Sequence, residues 1–187
     1  MFKILFALFF ISLNCNASNE YIRKYVFEWL YNDKNVALNY LEKSVNIEKP
    51  SADAAFILGS LYLDEITVKK NLEKADYYIT LAANLNHSGA INSIGDGYYT
   101  GDIREKDIQK ALVYYEKSAK LGYGPAQFNA GVVCLKLATC KKDLKKAIFW
   151  LDKASKNYDD LGDMTKDVLK YKKDAENKLR DIYKSKK

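Results

Sequence analysis

Apolar residues recur along this chain at helical spacing, and the apolar stripes themselves recur. The tract Ala54-x-x-x-Leu58-Gly59-x-x-Tyr62 returns 36 residues later as Ala90-x-x-x-Ile94-Gly95-x-x-Tyr98, and again as Ala126-x-x-x-Ala130-Gly131-x-x-Cys134. A second tract keeps the same period. Glu73-Lys74-Ala75-x-x-Tyr78 becomes Gln109-Lys110-Ala111-x-x-Tyr114, then Lys145-Lys146-Ala147-x-x-Trp150. Offsets of zero, four and eight lie along one face of a helix, so each unit reads as two amphipathic helices. Two helical patterns on a fixed period mark an array in which each hairpin buries its apolar face only against its neighbours. The pattern therefore predicts an all-α fold, an α/α superhelical solenoid of helical hairpins.

Three units follow, near residues 52–87, 88–123 and 124–159. Their first helices are expected near 52–63, 88–99 and 124–137, and their second helices near 71–85, 107–121 and 143–157. The two prolines, Pro50 and Pro125, both fall between units. Gly59, Gly95 and Gly131 sit inside helices at a cost of roughly 1 kcal/mol each against alanine. Their recurrence points to a packing reason, a missing side chain that lets a neighbouring helix approach. Ala75, Ala111 and Ala147 serve the same purpose from the other side, and Tyr78, Tyr114 and Trp150 read as core.

Both flanks depart from the period. Ile22, Tyr25, Val26, Trp29 and Leu30 make an apolar stripe on a helix from about Glu20 to Tyr31, and Asp33 is placed to cap the next one. That next helix, Ala37-Leu38-Asn39-Tyr40-Leu41-Glu42-Lys43-Ser44, matches Ala111 to Ser118 and has no recognisable first partner. The N-terminal helix is read as the substitute, giving a degenerate first unit over 20–50. From Asp163, the residues Met164, Val168, Tyr171, Ala175, Leu179 and Ile182 define one long amphipathic helix, 163–184, with a charged outer face. A solenoid ends in such an element, so this is the expected capping helix, with a frayed lysine-rich tail after it.

The first residues stand outside this scheme. Lys3, the apolar run Ile4 to Leu13 and the small residue Ala17 have the layout of a secretory signal peptide over 1–17. About ten apolar residues are too few to cross a bilayer, which takes roughly 20, so the protein is not expected to be an integral membrane protein. Asn14 before Cys15 fits a lipid-attachment site poorly. Cleavage after Ala17 would leave about 170 residues, enough for one domain over 18–187 with a sizeable core. The expected location is the periplasm or the exterior.

The net charge of +6 is spread along helices in mixed company, as in Lys141-Lys142-Asp143-Leu144-Lys145-Lys146. No run interleaves clustered arginine with aromatics, so nucleic acid is not an expected partner. Export leaves two cysteines, Cys134 and Cys140. An even pair close in sequence in an oxidising compartment favours a disulfide, worth about 2–3 kcal/mol for so small a loop. Two thiols packed as small hydrophobes is the other reading. Catalytic chemistry finds little footing. His87 is the sole histidine and sits at a turn, where it reads as solvent-exposed; it has no nucleophile partner that the sequence identifies. Asp64-Glu65 and Asp159-Asp160 fall at helix ends, where capping explains them. Asp96 and Asp102 flank Tyr98-Tyr99, but nothing else marks a pocket there. No enzyme activity, cofactor or metal is expected.

Residues 98 to 115 are similar to the unit of Sel-one-like repeats, relatives of the tetratricopeptide class, in Tyr98, Gly101, Asp107, Lys110-Ala111 and Tyr114-Tyr115. Lys117, Ala119, Gly122, Ala126 and Gly131 continue the likeness, which covers about 37–160. Departures are Ile103-Arg104 in place of a Gly-Val pair, Asn71 for the aspartate, and Glu65 and Leu137 for the loop glycine. The resemblance implies a superhelix that acts by binding other proteins, often in bacterial envelopes, and no catalytic residues.

The partner-binding surface is then expected on the concave face, at first-helix positions that the core does not use. These are Ile57 and Leu61, then Asn92, Ser93 and Asp96, then Gln127 and Asn129, with Tyr99 and Tyr123 bordering them. The expected function is a non-enzymatic periplasmic interaction module that binds another protein in this groove, as an envelope adaptor. Alternatives are an immunity protein neutralising a toxic secreted effector, a cell-wall-acting enzyme or inhibitor, and a structural spacer.

Overall fold

The computed structural model describes residues 17–64, 68–139, 141–157 and 165–184, without the side chains of 17–19, 30 and 31. Residues 1–16 (most of the expected signal peptide), Glu65, Cys140, Asp159-Asp160, Met164 and the tail from 185 lie outside the described residues. Nine helices and no strands occur among those described. They are α1 (Ala17–Tyr31), α2 (Lys34–Val45), α3 (Ala52–Leu63), α4 (Leu72–Asn84), α5 (Ser88–Thr100), α6 (Ile108–Lys120), α7 (Gly124–Leu137), α8 (Lys141–Ala154) and α9 (Thr165–Lys184). The fold is an all-α helical solenoid.

Local sequence explains where these helices begin. Asp33, Ser51, Asn71 and Asp107 stand at N-caps, and each side chain accepts a backbone N–H from the first turn. Asn71 thus does in one repeat what Asp107 does in the next, each accepting from the residue three on at 2.9 Å. The loops close identically too: Asn71 N–H donates to the Tyr62 carbonyl and Asp107 N–H to the Tyr98 carbonyl, both at 2.9 Å. α7 has no side-chain cap but carries Pro125 in its first turn, where a missing N–H costs nothing. The second helices of two repeats end at left-handed residues in equivalent slots, Asn86 at φ 63° and Gly122 at φ 92°.

The chain divides into two compact units, one up to Ala90 and one from Ile91. In the first, α1 packs on α2, α2 on α3, and α3 on α4. Tyr21 stacks on Tyr40, and Ile22, Tyr25, Val26, Ala37, Leu41 and Val45 are buried. Leu41 and Ser44 of α2 are fully buried, as are Ser118 and nearly so Tyr115 at the matching positions of α6. In the second unit, α6 packs on α7, α7 on α8, and α8 on α9. Its core gathers Ala111, Tyr115, Ala126, Ala130, Val133, Leu144, Ala147, Trp150 and Ala175.

The recurrent glycine has the packing role expected of it. A Cβ built on Gly59 would lie 2.6 Å from Ile79 Cγ1, and one on Gly95 would lie 2.7 Å from the Tyr115 ring. One on Gly131 would lie 2.5 Å from Leu151 Cγ. The Ala75 and Ala111 carbonyls stand just behind, at 3.2 and 3.3 Å. Trp150 is buried, while Tyr78 and Tyr114 are half-buried and stack on Tyr62 and Tyr98.

α9 meets α8 through Val168, which packs with Ala154, and reaches Phe128 of α7 through Val168 and through Tyr171, whose ring meets Phe128 edge-on at 5.7 Å. Lys172 and Lys156 flank Asp152 at 2.5 and 2.7 Å and hold its carboxyl down at about 2. Because Asp152 is half-buried and its ion pairs are open to solvent screening, they fix orientation more than they add stability.

His87 differs from the solvent-exposed turn residue read from the sequence. Its ring is about four-fifths buried, stacks on Phe56 at 4.4 Å, and accepts the Ala90 N–H through Nδ1 at 3.1 Å. It is the N-cap of α5, a task its residue type gave no reason to suspect. Nδ1 must be unprotonated to accept, which leaves Nε2–H facing Asp53 Oδ1 at 3.5 Å. Burial holds the imidazole below its ordinary 6.5, with Asp53 opposing. A histidine with a lowered folded pKa contributes stability that is intact above the unfolded value and is lost as pH falls from about 6.5 through the folded value. Wild type should lose up to about 1 kcal/mol more than His87→Ala between pH 7.5 and 5.5, the scale of a helix cap. Urea midpoints at the two pH values read this directly, and equal losses would reject the capping role.

Candidate functional site

Three of the expected lining residues meet in the second unit. The helical register places Asn92 and Asp96 one turn apart on α5, and Asn92 Nδ2 donates to Asp96 Oδ2 at 2.9 Å. From α7, Asn129 Nδ2 donates to Asn92 Oδ1 at 3.1 Å and reaches Asp96 Oδ1 at 3.5 Å. From α6, the Tyr115 hydroxyl donates to Asp96 Oδ1 at 2.8 Å. Three helices thus converge on one carboxylate through neutral donors, and no lysine or arginine pairs with it among the described residues.

Electrostatics follow from that arrangement. Burial raises the Asp96 carboxyl above the ordinary carboxylate range, and the Tyr115 hydrogen bond opposes the shift. Burial, then the Asp96 charge, pushes the Tyr115 phenol far above its ordinary 10. The phenol is therefore a fixed donor at every working pH. Asp96 itself remains half-buried.

The other expected residues are placed differently. Tyr99 is half-buried beside this cluster, its ring 6.5 Å from that of Tyr115. Lys136 of α7 donates to the Tyr99 hydroxyl and lies 5.0 Å above its ring. Ser93 is half-buried on α5, and Tyr123 is half-buried at the start of α7, packed against the core. Ile57 and Leu61 lie half-buried on α3 in the first unit. Gln127 does not join the cluster. It is buried, its Nε2 donates to the Ala119 carbonyl at 3.3 Å, and its Oε1 accepts from Asn157 at 2.7 Å. That amide serves as an internal strap between α6, α7 and the segment after α8.

Tyr115 and Lys136 were missed from the sequence. Tyr115 entered the sequence reading only as part of the repeat resemblance, yet its signal was present: the equivalent residues of the other repeats are the aliphatic Ile79 and Leu151. A hydroxyl in an otherwise aliphatic slot, facing an acid in a slot that holds Ser60 and Val132 elsewhere, is a matched pair of departures.

Cys134 takes the slot of Tyr62 and Tyr98, is buried, and carries no bridge among the described residues. Burial pushes its thiol up to about 11, so it is a poor nucleophile. Its expected partner Cys140 lies outside the described residues, and the disulfide stays an expectation. Asp102 is exposed and makes no pair with Asp96. Among the described residues no three His, Cys, Asp or Glu side chains gather as a metal site, and no helix is long and apolar enough to cross a membrane.

The family model for the Sel1 repeat matches residues 52–87, 88–123 and 124–159, the same three segments that carry the period. The chain is 32% identical over 104 residues to the putative sel1-like repeat-containing protein L21 of Acanthamoeba polyphaga mimivirus, a match over 53% of this chain. It spans only 19% of that protein's length. Among solved structures it is similar to a Sel1 repeat protein from Oxalobacter formigenes, with a TM-score of 0.65 and 24% identity over 75% of this chain and 57% of that one. It is also similar to c5321, a protective antigen present in uropathogenic Escherichia coli strains that displays an SLR fold. There the TM-score is 0.69 and the identity 24%, over 88% of this chain and 34% of that one. At that identity the two structures speak to the fold alone.

Proposed function

Because this chain belongs to the Sel1 repeat family, whose repeats are protein-interaction modules, we propose that it is a non-enzymatic periplasmic module that holds a partner protein on the α5–α7 face of its second unit. The observation that carries this reading is a contrast between slots. Positions that pack the hairpins repeat with the period: alanine at 54, 90 and 126, glycine at 59, 95 and 131, alanine at 75, 111 and 147. Positions beside them on the first helices do not. Phe56, Asn92 and Phe128 share one slot, Ile57, Ser93 and Asn129 another, and Ser60, Asp96 and Val132 a third. Slots that the fold leaves free to vary are where a repeat protein writes its specificity. The leader-like residues 1–17 support export.

Affinity capture from envelope extracts with the tagged full chain tests this, read beside cell fractionation. One dominant partner, recovered with the chain in the periplasmic fraction, is the expected result. Joint replacement of Tyr99 and Asn129 by alanine should lower its recovery at least tenfold, since a few residues carry most interface energy. A partner toxic to the cell would select the immunity role over the adaptor role. Capture of nothing, or a chain confined to the cytoplasm, contradicts the proposal.

A further inference from the structure

We propose that Asp96 is the receptor for a single lysine ammonium presented by the partner protein, with Asn92, Asn129 and Tyr115 as its positioning residues. The inference rests on the interaction-module reading and adds the chemistry of the partner.

The fold does not need this charge. The chain supplies its own controls, because the same slot holds Ser60 in the first repeat and Val132 in the third, and both hairpins form. Ser60 satisfies itself on the Phe56 carbonyl at 2.9 Å, and Val132 has nothing to satisfy. The companions of Asp96 are equally particular to this repeat. Asn92 stands where Phe56 and Phe128 stand, and Tyr115 where Ile79 and Leu151 stand. Asp96, Asn92 and Tyr115 have therefore replaced apolar or self-satisfied residues together within one repeat; with Asn129 from the next, three neutral side chains converge on one carboxylate.

A carboxylate withdrawn from water without a counter-charge is costly, and such groups are retained where something uses them. Neutral donors orient Asp96 but supply no counter-charge, and the residue is only half-buried. Lys136, the cation nearest in the sequence of α7, is turned onto the Tyr99 hydroxyl and ring instead. What the site lacks is a cation from outside.

The donor count decides which cation. An ionised carboxylate offers about four acceptor positions. Oδ1 receives Tyr115 and, at longer range, Asn129, while Oδ2 receives Asn92 alone. A guanidinium fork needs one free lone pair on each oxygen in a common plane, and the donors on Oδ1 close that approach. Oδ2 keeps room for one donor. A lysine ammonium, a compact point charge, needs no more. The asparagine amides and the Tyr115 hydroxyl hold Oδ2 in place, so little ordering cost remains at binding.

The test uses the full chain in envelope extract treated with a water-soluble carbodiimide, which joins a carboxylate to an amine in contact with it without a spacer. Capture is repeated with Asp96→Ser, the residue of the first repeat, and with Asp102→Asn as an exposed-acid control. The expected product is a cross-linked peptide pair joining Asp96 to a partner lysine. Asp96→Ser should lower recovery of that partner at least tenfold, and Asp102→Asn should leave it within twofold. Thermal unfolding of Asp96→Ser should still show one cooperative transition, lowered somewhat because Tyr115 and Asn92 lose their acceptor, so that lost recovery is not loss of fold. A partner that Asp96→Ser retains, or that cross-links only through other carboxylates, overturns the lysine receptor and leaves the interaction module standing. A chain that captures nothing overturns both.

Discussion

Replacing Gly131 with alanine is expected to lower stability by about 2–3 kcal/mol, although alanine is the better helix former by roughly 1 kcal/mol. The new methyl would sit 2.5 Å from Leu151 Cγ, 2.9 Å from its Cδ2 and 3.2 Å from its backbone nitrogen. Leu151 is fully buried and has no free direction in which to yield, so α7 and α8 must separate. Gly97→Ala is the informative comparison. Its methyl would meet the tip of the Arg104 guanidinium at 3.2 Å, and that tip can swing away. The propensity gain should then survive, leaving Gly97→Ala within about 0.5 kcal/mol of wild type or more stable. Urea unfolding of the two variants separates close packing from helix propensity. Equal effects would mean that the repeated glycine is not a packing device.

The second large effect is expected at the same contact from the other side. Leu151→Ala should cost about 2–5 kcal/mol, the range for deleting a buried leucine side chain where the surroundings close in only partly. The two substitutions should not be additive. With Leu151 cut back, the methyl added at Gly131 enters space that the leucine has vacated. The double variant should therefore be more stable than the sum of the single losses by at least about 1 kcal/mol. Strict additivity would show that the two residues do not meet as the geometry requires. The equivalent pairs, Gly59 with Ile79 and Gly95 with Tyr115, make the same contact with a different large residue each time. Each repeat thus solves one packing problem with its own side chain.

That regularity is why so much of the fold could be read in advance. Hairpin contacts are local and recur with the period, so a glycine or alanine that returns every 36 residues reports a helix–helix contact without any structure. Lateral chemistry is another matter. Asn129 meets Asn92 across 37 residues and Tyr115 meets Asp96 across 19, distances at which sequence spacing carries no signal of its own. Asn92, Asp96 and Asn129 were legible as variable slots, but their union around one carboxylate was not. Gln127 shows the opposite failure: it occupied a variable slot, yet its amide turned inward to the Ala119 carbonyl and Asn157. His87 was misread because a histidine can cap a helix through Nδ1, a task usually given to Ser, Thr, Asp or Asn. Cys134 stands buried in the slot that holds Tyr62 and Tyr98 elsewhere, and its pairing with Cys140 stays an expectation.

The central proposal is that the second unit holds a partner through the α5–α7 face. Recovery of partner from envelope extract by wild type and by Asn129→Ala, compared at low and high salt, tests it most directly. Asn129 ties α7 to both Asn92 and Asp96 and is half-buried, so its loss should loosen the face while leaving the hairpin cores intact. At least tenfold lower recovery is expected with Asn129→Ala, and wild type should release the partner as salt rises, since a charge anchors it. Equal recovery by both proteins, insensitive to salt, would contradict the proposal.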